Sequence, residues 1–309
     1  MTGRMFFSDK ERFAELLNLH LYHGEKVLLP ENLIQRKREY PPLADGCGPK
    51  SRDILMEDTK RKVCYGVELE TETDYSMPER IMVYDACEYE RQIRAIGRKH
   101  LEEGTYVNFR EKKSRIKVDD FLLPTVTVVL YLGEGHWEGK RRLVDMFHLP
   151  EYAADLSGSG ICDYGFSLLE ADFLRTEDHK TDLKEFFQAM QCRQDRERLK
   201  HLLCSDGFQR LDPETELVIA AHLNIRRLVR RMKKGEVPMC KAFEDLMQEE
   251  RRNGRKEGIE KGIKKGKKEG KKAERLGIIG RMKKEGLEEA QIIRLTKCTK
   301  EEYAEAPGI

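Results

Sequence analysis

The 309-residue chain predicts an α/β protein: a mixed sheet with a helix laid against it, then a helical region and a basic helical tail. Three observations carry that expectation. Residues 53–70, DILMEDTKRKVCYGVELE, read as two strands joined by a charged turn. Residues 121–133, FLLPTVTVVLYLG, form a β-branched run bounded by Pro124 and Gly133, as expected of a strand buried on both faces in the middle of a sheet. Gly254, Gly258, Gly262, Gly266 and Gly270 recur every fourth residue among Lys, Arg, Glu and Ile, which places them on one slowly drifting helical stripe.

Taken in order, Ser8 and Asp9 precede KERFAELLNLHLYHG, whose Phe13, Leu16, Leu17, Leu19 and Leu21 and closing Gly24 predict a capped amphipathic helix. Residues 25–52, with Pro30, Pro41, Pro42, Pro49 and Gly46 and Gly48, read as a loop broken by at most a short turn of structure. After the two strands, Pro78 suits a first helical turn, and Ile81, Tyr84, Cys87 or Glu88, and Ile93 to Ile96 carry an irregular helical spacing into Gly104. The order helix, strand, strand, helix, strand is that of an α/β core. From about Leu143 the pattern becomes helical, over residues 161–174, 182–203, 213–232 and 239–252, with breaks at Gly207, Gly235 and Pro238. In the tail each glycine costs about 1 kcal/mol relative to alanine, so a lone helix there is marginal and is expected to order on another chain or on nucleic acid. GLEEAQIIRLTKCTKEEYAE then gives a helix, a turn at Lys297-Cys298-Thr299 and a second helix start, a helix-turn-helix-like ending. Three divisions follow: residues 1–150, 151–250 and 251–309.

Composition, 39% hydrophobic and 37% charged, describes a heavily charged surface. No run approaches the roughly 18 apolar residues of a membrane span, and MTGRMFFSDKERF turns charged too early for a signal peptide. A cytoplasmic location without membrane partners is the expectation. Eight cysteines are scattered with no CxxC pair, which argues against zinc and against a disulfide framework and for reduced, mostly buried thiols. Residues 251–309 carry 18 Lys and Arg against 10 Asp and Glu, leaving 40 against 46 elsewhere, so the tail is either a solvated basic face or, if the chain has a basic partner surface, the place for it.

Within residues 53–70, Asp53 opens the first strand, and Glu68 and Glu70 share one face of the second while Leu69 points the other way. Pairing as a hairpin brings the aspartate near both glutamates. Three clustered carboxylates repel one another unless a cation or protons compensate, which makes this stretch a candidate divalent-metal site. A solvent-facing acidic edge, continued by Glu72 and Asp74, is the alternative reading. His20, His23, His136 and His148 are unpaired in the sequence, and Trp137 is expected to anchor a loop on the core.

The blocks SDKERFAELLN, HGEKVLLPENL, SRDILM, YGVELETETDYSMPERIMVYDACEY and LLPTVTVVLYLGEGHWEG, with the glycine-spaced basic tail, resemble the Rpn family of recombination-promoting nucleases and transposases in the PD-(D/E)XK superfamily. That resemblance implies a restriction-endonuclease-like mixed sheet flanked by helices and an endonuclease that cuts double-stranded DNA with Mg²⁺ or Mn²⁺. By position, Asp53 falls on the motif aspartate and Glu68 on the (D/E), the two implied metal ligands. Glu70, the third implied catalytic residue, falls where the superfamily has lysine and this family often has glutamine. Glu11 or Glu15 would supply an additional acid, and Tyr84, Asp85 and Tyr89 match a block in the following helix. With no lysine at position 70, a cation has to come from elsewhere, with Arg52, Lys62 and Arg80 the nearest candidates, or Glu70 acts as a base or second-metal ligand. The other outcome is a catalytically weak or inactive nuclease fold acting in DNA binding or in homo-oligomerisation through the tail.

Overall fold

The computed structural model describes residues 3–41, 48–148, 162–235 and 238–307, and the chain divides into two compact units, Met1–Phe243 and Glu244–Ile309. The first begins with helices α1 (Gly3–Phe7) and α2 (Lys10–Leu21). The Asp9 carboxylate caps α2 by accepting from the backbone N–H groups of Glu11 and Arg12, both at 3.1 Å. Gly24, at φ +88°, then turns the chain in a conformation that a side chain would strain.

Residues 25–52 hold more structure than the expected loop. A single 3₁₀ turn at Pro30–Asn32 leads into strand β1 (Leu33–Gln35), and β2 (Glu39–Tyr40) pairs with β3 (Lys50–Ser51) in a separate two-stranded sheet. Strands of two or three residues have no periodicity to read, and β1 is defined by pairing with a later strand.

The predicted hairpin forms as β4 (Ile54–Asp58) and β5 (Val63–Glu70), in antiparallel register with Ile54 opposite Val67. Its turn is fastened by Asp58, which accepts from the N–H groups of Lys60 and Arg61, and Lys62 sits at φ +61°. Helix α3 (Met77–Glu103) follows, starting at Pro78 in its first turn and ending on Gly104 at φ +65°, as the sequence indicates. After a short α4 (Phe109–Ser114), β6 (Thr125–Tyr131) pairs parallel to β5, and β7 (Ser167–Glu170) pairs parallel to β6. The main sheet is thus mixed, five strands in the order β1-β4-β5-β6-β7. β7 overturns the helical reading of residues 161–174: SLLE is an apolar run too short to declare its period, and a vacant edge of β6 decides its conformation.

Each face of the sheet has its own cover. On one, the Tyr22 hydroxyl that follows α2 meets that of Tyr65 at 2.6 Å. On the other, Met77 and Ile81 of α3 pack with Val129 and Tyr131 of β6, Trp137 and Phe166, so Trp137 does anchor its loop. Under α3 lies Arg52, fully buried, which donates to Thr127 Oγ1 at 2.8 Å and pairs with Asp85 of α3. It fits because residue 66 is glycine: a Cβ there would lie 2.4 Å from Arg52 Nη1.

Helices α5 (Leu183–Cys192), α6 (Arg196–Leu203), α7 (Asp206–Gln209), α8 (Pro213–His222) and α9 (Arg226–Gly235) complete the unit. Phe186 of α5 stacks on Phe6 and meets Phe7 edge-on, fixing α1. Cys204 and Cys240 form a disulfide, contrary to the expectation of thiols throughout; the tertiary fold brings together two cysteines 36 residues apart. Cys64, Cys87, Cys192 and Cys298 are buried and free.

Helix α10 (Met239–Lys284) runs through the whole glycine-spaced stretch, followed by α11 (Glu289–Thr296) and α12 (Lys300–Glu305). Lys297 at φ +52° makes the expected turn between the last two, and Thr299 with Glu302 forms a capping box on α12. The core of the second unit is small: Ile279, Ile292, Cys298 and Ala306, with Leu276, Leu287 and Tyr303 against them. Among the described residues no helix is long and apolar enough to cross a membrane.

Two stability measurements follow. Gly66→Ala should destabilise the protein by about 1–3 kcal/mol, read as a lower urea midpoint at unchanged slope, because the new methyl has to displace a buried guanidinium. Gly258, Gly262 and Gly266 have nothing within 4 Å of a built Cβ, so their combined replacement by alanine should raise helix content by circular dichroism and stabilise α10 by about 1 kcal/mol per site.

Candidate active site

The end of the β4–β5 hairpin brings the three predicted carboxylates into one neighbourhood. Asp53 immediately precedes β4, and its Oδ2 accepts from the backbone N–H of Leu69 at 3.0 Å, which ties it across the ladder to the segment carrying Glu68 and Glu70. Its Oδ1 lies 2.6 Å from Nε of Arg4 in α1. Glu68 and Glu70 share the face of β5 covered by α3, paired in register with Val129 and Tyr131.

The α3 helix supplies the cation. Arg80 Nη1 contacts Asp74 Oδ2 at 2.5 Å and Glu70 Oε1 at 3.0 Å; Nη2 donates to the Tyr84 hydroxyl at 3.4 Å and lies 3.9 Å from Glu68 Oε2. Of the three cations singled out in the sequence, Arg80 alone is in contact with these acids. Arg52 is spent on Asp85 and Thr127, and Lys62 is in the turn at the far end of the hairpin. Tyr84 and Asp85 therefore hold the arginines, while the Tyr89 hydroxyl accepts from Thr125 N–H at 3.2 Å and fixes the start of β6. Glu15, a candidate extra acid, is engaged elsewhere: it accepts from Lys180 and Thr181 N–H and from the Thr181 hydroxyl, and faces His179. Glu11 lies in the first turn of α2, where its N–H is capped by Asp9.

Glu68 is the least compensated member. It is 1% exposed, and its Oε1 has no hydrogen-bond partner. Burial, aided by the Asp53 and Glu70 charges and opposed by Arg52 and Arg80, pushes its carboxyl up to about 8. Burial also raises Glu70 from the ordinary carboxylate range, with Arg80 opposing. A buried acid with a bare oxygen, next to an aspartate whose orientation is fixed by a backbone N–H, is a donor set of hard oxygens suited to Mg²⁺ or Mn²⁺, which are commonly held by one or two carboxylates and waters. Among the described residues no group of three or more His, Cys, Asp or Glu side chains is arranged around a common point, so the fit rests on the pair Asp53 and Glu68.

Sequence reasoning missed Arg4, which nothing in the linear pattern connects to Asp53. It also missed a second buried cluster on the same face, where Arg36 bridges Glu57 at 2.7 Å and Glu88 at 3.1 Å, and Glu88 receives Gln92, Tyr40 and Arg91 as well. With each of its carboxylates met by an arginine, that cluster clamps α3 to the β1–β4 edge. Compared with known proteins, the chain matches no family model, no curated protein and no solved structure.

The Glu68 shift has a definite sign in stability. Between about 4.5 and 8 the folded protein keeps a proton that the unfolded chain has released, so stability falls as pH rises through that window and the whole cost is present above it. In chelator-treated protein, Glu68→Gln should match the wild type below pH 4.5 and exceed it above pH 8 in urea titrations.

Proposed function

We propose that the protein is a metal-dependent DNA endonuclease of the Rpn type, with a restriction-endonuclease-like core, hydrolysing phosphodiester bonds of double-stranded DNA in recombination or transposition. The observation that carries the reading is the convergence of Asp53 and the bare, buried Glu68 carboxyl at one end of the hairpin, with Arg80 delivered beside them by the next helix. Asp53 and Glu68 would hold Mg²⁺ or Mn²⁺, with the Leu69 carbonyl as a further donor. Bound there, such an ion lowers the pKa of a water and offsets charge on the phosphate.

The chain's own residues do the rest. The Leu69 N–H orients Asp53 before any ligand arrives. Arg80 places a permanent positive charge where the superfamily's lysine would act, steering a phosphate toward the acids and offsetting charge that develops there. Glu70, with its carboxyl raised by burial, is placed to take a proton from the attacking water. The basic surface of residues 251–275, exposed throughout, would add affinity for DNA by counterion release and offers a face for self-association.

A second reading rests on a specific observation. Both oxygens of Asp53 are engaged, by Leu69 N–H and Arg4, and Glu70 and Asp74 are engaged by Arg80. A charge cluster closed on itself suits a nuclease fold retained for DNA binding or oligomerisation.

Plasmid assays separate the two. With Mn²⁺ or Mg²⁺ the purified protein is expected to nick supercoiled plasmid, and Asp53→Ala to abolish nicking; cleavage that survives Asp53→Ala sinks the nuclease assignment. Glu70→Lys sets a second cation against Arg80 and should abolish cleavage if Glu70 works in the site. A gain of cleavage instead identifies the natural protein as a decayed nuclease.

A further inference from the structure

The inference concerns Arg4 and rests on the metal site proposed above. Arg4 is joined to Asp53 by a short contact, 2.6 Å between Nε and Oδ1, yet its side chain is 54% exposed while that of Asp53 is 17% exposed. Its backbone is held firmly. Phe6 and Phe7 are buried to 0% and 1% exposure against the aromatic rings of α5, Ser8 N–H donates to the Arg4 carbonyl at 2.9 Å, and Gly3 lies so close to α8 that a Cβ would meet the His222 ring at 2.7 Å. A fixed backbone carrying a half-exposed guanidinium can release its partner by side-chain rotation alone, at the small cost of a surface ion pair. Asp53 has no such freedom, because its other oxygen is bonded to Leu69 N–H at 3.0 Å. With Oδ2 fixed toward Leu69 N–H, Oδ1 is the oxygen of Asp53 more open to a further cation, and Arg4 stands on it.

We propose that Arg4 is the resident counter-cation of Asp53: it occupies Oδ1 while the site holds no metal, competes directly with a divalent cation for that oxygen, and swings into solvent when the cation binds. Arg4 is thus a positioning residue that sets metal affinity and makes it depend on ionic strength. It keeps Asp53 aimed, and its release opens the site. Arg80 is different in kind, since three acids and Tyr84 surround it and its side chain is 27% exposed.

The test is Mn²⁺ binding to the full-length protein by isothermal titration calorimetry, with no DNA present, for the wild type, Arg4→Gln, Arg4→Lys and Asp53→Asn, with thermal unfolding of each followed in parallel. Arg4→Gln is expected to bind Mn²⁺ roughly threefold to tenfold more tightly than the wild type, Arg4→Lys to stay near the wild type, and Asp53→Asn to lose binding. Raising NaCl should narrow the gap between wild type and Arg4→Gln, because salt screens the exposed pair. Binding by Arg4→Gln where the wild type shows none would support the competition still more directly. Equal Mn²⁺ affinity in wild type and Arg4→Gln, with loss in Asp53→Asn, overturns the role of Arg4 and leaves the metal site standing. Absence of binding in both overturns the two together.

Discussion

The buried pair between Arg52 and Asp85 is the constraint on which the rest of the first unit depends. Arg52, the residue before Asp53, passes over the glycine of β5, bonds Thr127 of β6 and ends on Asp85 in the third turn of α3. Three strands and the crossover helix are thereby referred to one guanidinium. A charge taken fully out of water is tolerated only when paired, and removing one partner of such a pair typically costs about 3–5 kcal/mol. Helix α3 accordingly has one azimuth and one height over the sheet, and at that setting Arg80, five residues before Asp85, falls on Glu70 and Asp74. The geometry of the acidic site thus follows from an ion pair that makes no hydrogen bond to its acids, although the Arg52 charge also acts on Glu68.

Around that frame the acids are compensated in three different ways. Asp53 is met by a side chain that solvent reaches, Glu70 and Asp74 share an arginine that is mostly enclosed, and Glu68 has a bare oxygen and resorts to a proton. The Glu57 and Glu88 cluster a few residues along the same face shows the contrast, since each carboxylate there is matched by arginine. Of the two clusters, only the acidic site holds a buried carboxylate oxygen without a hydrogen-bond partner, the Oε1 of Glu68.

Much of the fold was legible because its elements obey simple periods. The alternation in VCYGVELE, the β-branched run of β6 and the proline-to-glycine span of α3 each announce themselves, and the facing of Glu68 with Glu70 follows from strand pleating alone. What stayed hidden depends on partners distant in sequence. β1 and β7 are too short to carry a period, the cysteines of the disulfide are 36 residues apart, and Glu15 reads as available until the 179–181 segment closes on it. In the site, the acids were legible and the cations were not. Among Arg52, Lys62 and Arg80, selection needed the azimuth of α3, and Arg4 needed the aromatic anchoring of α1 onto α5.

The long helix of the tail has one more implication. Over residues 251–275 every side chain is exposed, so the stretch is held by its own backbone hydrogen bonds, weakened at each glycine, and by exposed ion pairs such as Lys272–Glu305 and Arg275–Glu302. Local opening there is far cheaper than unfolding the sheet, and 12 of these 25 residues are lysine or arginine. A trypsin-like protease would therefore cut this stretch long before it cut the core, parting the basic surface from the sheet.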